Sequence, residues 1–85
     1  VINKSGKMVG SITESEIEVA ILQGNPTSTE IEKIMNPEPQ IVRLDDDVYK
    51  AFYIMHLAES EYILVVDNFK RAAGIITMKE ILTLL

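Results

Sequence analysis

Residues 62–85 read YILVVDNFKRAAGIITMKEILTLL, and the pattern changes three times along them. Five consecutive apolar residues at 62–66 mark a strand buried on both faces. The polar run 67–71 is a turn, residues 72–76 return as an antiparallel strand, and a helix begins at Met78. The second half of this stretch occurs twice. Sliding the chain by 64 places lays Val1 on Val65, Gly10 on Gly74, Ile12 on Ile76, Thr13 on Thr77, Glu16 on Glu80 and Ile17 on Ile81 without a gap. Self-similarity at a fixed offset names the structural unit, and here the unit ends in G-x-I-T-x-x-E-I.

Working outward, residues 40–44 form a brief β-branched strand, and Asp45, Asp46 and Asp47 stand where a helix start gains from negative charge and a capping side chain. The helix that follows runs to about Ala58, with Val48, Ala51, Phe52 and Met55 as its inner stripe, continued by Leu57 or Ala58. A strand reached through a helical crossover pairs in parallel with the strand before it, so 62–66 is expected beside 40–44. The fold class is therefore α+β: a complete β-α-β-β-α unit with a small mixed sheet. Residues 1–24 repeat only its β-β-α tail. They comprise a hairpin with arms at 1–2 and 8–12 around a turn at 3–7, and a helix from Glu14 to Gln23 whose stripe is Ile17, Ala20 and Ile21. Gly24 and Pro26 stop that helix, 25–29 is a linker, and a short helix over 29–35 turns Ile31, Ile34 and Met35 inward before Pro37 and Pro39.

A chain of 85 residues buries roughly 60 to 65% of its unfolded surface, a marginal core. An offset of 64 leaves room for one whole unit and the tail of another, whose front half is expected upstream of Val1. The chain reads as a piece of a longer protein, its exposed apolar surface covered by self-association. The net charge of −5 and the scattered lysines and arginines argue against nucleic acid. No run approaches the roughly 20 apolar residues that span a bilayer. The absence of cysteine excludes thiolate metal sites and disulfides and fits a cytoplasmic setting.

Few residues could carry chemistry. Glycine weakens a strand, so Gly10 and Gly74 suggest a close approach to the backbone, by packing or by a ligand. Thr13 and Thr77 each precede a glutamate by three residues, the capping-box pattern; a third T-x-x-E at Thr29 lacks the preceding strand. Capping and ligand contact are compatible, because a hydroxyl has a proton to donate besides its lone pairs. His56, the one histidine, has no second histidine or cysteine with which to share a metal and reads as a partly buried packing residue. Tyr49, Phe52, Tyr53 and Met55 read as core or dimer face. No nucleophile stands beside a base, so a catalytic site is not expected.

The ordered set of I-x-x-I-M-N-P at 31–37, the helix at 48–55, L-V-V-D at 64–67 and G-I-I-T-M-K-E-I-L at 74–82 resembles a CBS domain. The resemblance covers residues 30–85 as a complete domain and 1–24 as the back half of its tandem partner. The run G-S-I-T-E-S-E-I at 10–17, with Gln23-Gly24 and Ile34-Met35-Asn36-Pro37, is most similar to the C-terminal regulatory region of bacterial cystathionine β-synthases. The resemblance implies a non-catalytic paired module that binds AMP, ATP or S-adenosylmethionine and controls an attached enzyme, with a PLP-dependent β-synthase as the candidate. It also implies that the threonines meet the phosphate or its equivalent, and that an aspartate three residues on holds the ribose. Here Glu16 and Glu80 stand in the aspartate positions, and their extra methylene favours reaching back to the cap. The ligand set it implies is Gly10, Ser11, Thr13, Glu16, Asn36, Ile41, Val42, Tyr62, Leu64, Gly74, Thr77 and Glu80. A homodimer through helix faces, with or without ligand, is the accompanying expectation.

Overall fold

A computed structural model describes residues 1–84; Leu85, the last residue of the expected second domain, lies outside the described residues. The chain divides into two compact units, Val1 with Val9–Pro39, and Ile2–Met8 with the residues from Gln40 onward.

The second unit is the β-α-β-β-α fold. Strand β1 (Ile41–Arg43) pairs in parallel with β2 (Tyr62–Val66), which pairs antiparallel with β3 (Ala72–Thr77), in the sheet order β1-β2-β3. The crossover is α2 (Val48–Ala58), and α3 (Met78–Leu84) follows β3 directly. Local chemistry sets these bounds. The Asp47 carboxylate accepts the Lys50 N–H at 2.9 Å, which caps α2. At the other end Glu59 takes a left-handed conformation (φ 52°), and Ser60 N–H returns to Met55 O at 2.9 Å. The β2–β3 turn closes around Asp67, whose carboxylate accepts from the N–H groups of Phe69 (2.8 Å) and Arg71 (2.9 Å) and from Arg71 Nε (2.8 Å). Beyond it the register steps from Val65↔Gly74 to Val66↔Ala72, which leaves Ala73 as a bulge in β3.

Both helices cover one face of the sheet. There Val42, Ile63 and Val65 meet Ala51 and Met55 of α2 and Ile81 of α3, with Phe52, Ile54, Ile76 and Met78 against the cluster. Strand β2 is not buried evenly: Ile63, Val65 and Val66 are buried, while Tyr62 and Leu64, on the face away from the helices, are half-buried. Leu57 and Ala58 do not extend the α2 stripe, since both are exposed. Tyr49 and Tyr53 point outward while Phe52 and Met55 point in, and His56 is exposed with its ring stacked on Phe52 at 6.0 Å.

The first unit departs further from expectation. Helix α1 (Glu14–Leu22) forms, but only Ala20 of its stripe is buried; Ile17 and Ile21 are exposed. The short helix contracts to a 3-10 turn, Ile31–Lys33, with Ile31 exposed. The opening hairpin is reduced to isolated bridges. In the first unit Val9 N–H bonds to Val1 O and Ser11 pairs with Asn36; in the second, Ile2 pairs with Met8 and Met8 N–H bonds to Lys70 O. Partners that change from residue to residue cannot build a ladder.

Candidate functional site

The two copies of the strand-to-helix junction are built alike. At the start of α3 the Glu80 carboxylate accepts from Thr77 N–H (3.1 Å) and Thr77 Oγ1 (3.0 Å), while Glu80 N–H donates back to Thr77 Oγ1 at 3.2 Å. At the start of α1 the Glu16 carboxylate accepts from Thr13 N–H at 3.0 Å and from the Thr13 hydroxyl. Both threonine hydroxyl protons are thus directed to the glutamate of their own cap. Glu16 titrates below the usual glutamate range, chiefly through the Thr13 hydroxyl bond and against the partial burial that would raise it.

Around these caps the two units differ. In the first, a Cβ built on Gly10 would lie 2.7 Å from both Asn36 O and Met35 Sδ, so the close approach is made by the chain's own backbone. Ser11 and Asn36 exchange two backbone hydrogen bonds, of 2.9 and 2.7 Å, beside that contact. The Ser11 hydroxyl is buried with no partner among the described residues, a group that asks for a water or a ligand. A cavity of about 410 Å3 runs along α1, with Glu16 and Lys33 in its wall. Glu18 and Glu14 flank the same helix.

In the second unit Gly74 meets nothing within 4 Å. The close approach at Gly10 is thus one of packing, whereas at Gly74 no protein atom packs against the backbone and the missing side chain opens space. Pairing places Ile41 beside Leu64, Leu64 beside Ile75 and Tyr62 beside Thr77. Ile41, Tyr62, Leu64 and Thr77 thereby share the sheet face away from the helices. Val42 does not join them, because strand alternation turns it into the core, where it is 4% exposed; Gly74, opposite Val65, also faces the helices. A cavity of about 480 Å3 opens at Tyr62, Thr77 and Met78 and is walled as well by Glu61 and Lys79. No spacing in the sequence marks these last two; the Tyr62↔Thr77 register brings them together. Among the described residues no cluster of His, Cys, Asp or Glu could hold a metal ion, and no helix is long and apolar enough to cross a membrane.

Three carboxyls titrate below their ordinary values. Besides Glu16, Asp67 is lowered first by the Arg71 backbone N–H and Asp46 first by the Arg43 backbone N–H. A lowered folded-state pKa adds stability that is present above the unfolded value and lost as pH falls through the folded one. Urea titrations are expected to show stability holding from neutral pH to about pH 5 and declining below it, with Asp67→Asn showing a shallower decline.

A three-stranded mixed sheet with two helices on one face and a capped glycine-threonine junction defines a small α+β domain. The CBS domain family profile matches residues 31–85, and the chain belongs to that family. As a CBS domain it is regulatory rather than catalytic. Curated relatives from Arabidopsis thaliana include the CBS domain-containing protein CBSCBSPB3, 25% identical over 83 residues (95% of this chain, 15% of that protein). Another, CBSCBSPB5, is 30% identical over 64 residues (73% of this chain, 12% of that protein); the chain therefore spans only a small part of either relative's length. Among solved structures, the cytosolic domain of the Mg2+ channel MgtE in complex with ATP matches 100% of this chain and 32% of that one, with TM-score 0.88 and 28% identity. The CBS domain pair of protein MJ0100 in complex with 5′-methylthioadenosine and S-adenosyl-L-methionine matches 99% of this chain and 65% of that one, with TM-score 0.82 and 30% identity.

Proposed function

We propose that this chain is part of a tandem CBS module that binds an adenosine-containing ligand, AMP, ATP or S-adenosylmethionine, and thereby controls an attached enzyme. The observation that carries this is the junction repeated at residues 10–16 and 74–80, with the same threonine-glutamate bonding in both copies. The likeness to the MJ0100 pair and the MgtE domain, solved with adenosyl ligands, supports the ligand class. In the second unit the base lies against Ile41, Tyr62 and Leu64 near Thr77 and Glu80. In the first, Gly10, Ser11, Thr13, Glu16 and Asn36 form the corresponding site, and the orphan Ser11 hydroxyl supports a polar group there. Residues 1–24 are read as the back half of a first motif, 25–29 as a linker and 30–85 as the second motif. That Ile17 is 43% exposed where its repeat mate Ile81 is 0% exposed supports reading the two copies as unequal. The similarity at 10–17, 23–24 and 34–37 makes a PLP-dependent cystathionine β-synthase the candidate enzyme, and the cysteine-free composition suits the cytoplasm.

Calorimetric titration with AMP, ATP and S-adenosylmethionine tests the reading. At least one is expected to bind, with Thr77→Ala weakening it roughly tenfold, the scale of one lost hydrogen bond. Absence of heat with all three ligands sinks it. A second reading, homodimerisation through helix faces, draws on Tyr49, Tyr53 and Leu57 of α2, which are 71%, 63% and 65% exposed at four-residue spacing. Light scattering of Tyr53→Glu tests it, and an unchanged mass relative to the unsubstituted chain removes that face.

A further inference from the structure

Folding gathers cations that look dispersed in the sequence. Because β1 and β2 are parallel, Arg43 and the turn after Val66 lie at one end of the sheet. The turn at residues 3–7 docks there, through Met8 N–H to Lys70 O at 2.8 Å and the Lys7↔Arg71 bridge. Lys4, Lys7, Arg43, Lys50, Lys70 and Arg71, six of the eight lysines and arginines, thus share this end with four aspartates and no glutamate. Lys50 is paired with Asp46 and Arg71 with Asp67, while Asp47 is spent on its cap. Lys4, Lys7, Arg43 and Lys70 have no ion pair among the described residues. Phe69 stands 67% exposed at the tip, under the Arg71 guanidinium at 5.1 Å, with Leu44 also exposed. The Asp67 hydrogen bonds hold this tip rigid, so binding there sacrifices little conformational entropy. An arginine-aromatic surface of this kind is the composition of protein interfaces.

The first unit is the opposite. It holds six glutamates and one lysine, and so carries the whole −5 of the chain, while the second unit is neutral. Within it Glu30, Ile31 and Glu32 are consecutive and exposed, an apolar side chain between two carboxylates. We propose that the basic end around Phe69 binds the Glu30-Ile31-Glu32 segment of a second copy of this chain, with Ile31 against Phe69 and Leu44. An extended polyanion fits less well, because Asp45, Asp46, Asp47 and Asp67 are interspersed among these cations. This contact rests on neither the ligand reading nor the α2 face.

Sedimentation equilibrium of the full chain at about 50 and 500 mM salt provides the test, since contacts between exposed charges weaken with salt. Association is expected at low salt, weakened about tenfold or more by Lys7→Glu with Lys70→Glu, and equally by Glu30→Lys with Glu32→Lys. The second pair lowers the net negative charge, so loss of association there cannot come from global repulsion. Mixing the two double variants is expected to restore assembly, since each reversed surface then meets its complement. None of the four side chains has a hydrogen bond or ion pair among the described residues, and circular dichroism checks that the fold persists. A chain that stays monomeric at low salt overturns the proposal. So does association that survives both reversals, or that fails to return on mixing.

Discussion

Ile81→Ala is expected to destabilise the chain by about 2–5 kcal/mol, the usual range for an isoleucine truncated in a closed core. Ile81 is fully buried where α3 meets Met55, Ile63 and Val42, so the cavity left behind has little means to collapse. Ile17→Ala, at the equivalent position of the repeat, is expected to cost about 1 kcal/mol or less, because that side chain is already exposed. Urea denaturation of the two variants beside the parent measures the difference. Equal losses would mean that the two copies share the same packing, contrary to their burial.

Gly10→Ala is the second large effect. The added methyl would lie 2.7 Å from a backbone carbonyl, Asn36 O, as well as from Met35 Sδ. The sulfur can swing aside, but the carbonyl is fixed by the Ser11–Asn36 exchange. A loss of about 1–3 kcal/mol, the range for overpacking, is expected. Gly74→Ala adds its methyl to open space without a positive φ. It should be neutral or stabilise by about 0.4–1 kcal/mol through the stiffer unfolded chain. Thermal melts in which only Gly10→Ala lowers Tm would verify the asymmetry; a drop in both would refute it.

What local sequence determines was readable. Asp47, the run at 62–66 and the polar turn at 67–71 carry their own boundary chemistry, and α2, β2, β3 and α3 fall where these signals put them. The parallel pairing followed from the handed crossover, and the family from the ordered motifs. What depends on distant partners was not readable. Residues 8–12 look like a strand, yet their hydrogen bonds go to several separate segments. The inward turn of Val42 depends on its register with Val65, and a shift of one residue would have put it beside Leu64 instead. The cations that seemed scattered are collected by strand direction and by the docking of residues 2–8. Of the expected contact residues, those on the open sheet face came together because strand alternation sorts them. Val42 and Gly74 fell on the other side for the same reason.

The closed caps also dictate the hydrogen-bonding polarity of whatever meets them. A carboxylate can only accept, so the Thr77 hydroxyl must spend its proton on Glu80, and one of its lone pairs already receives the Glu80 N–H. A single acceptor position remains. A molecule touching that oxygen has to bring a hydrogen of its own, as a sugar hydroxyl or an ammonium does. A fully ionised phosphate oxygen could engage it only after Glu80 had swung away and released the proton.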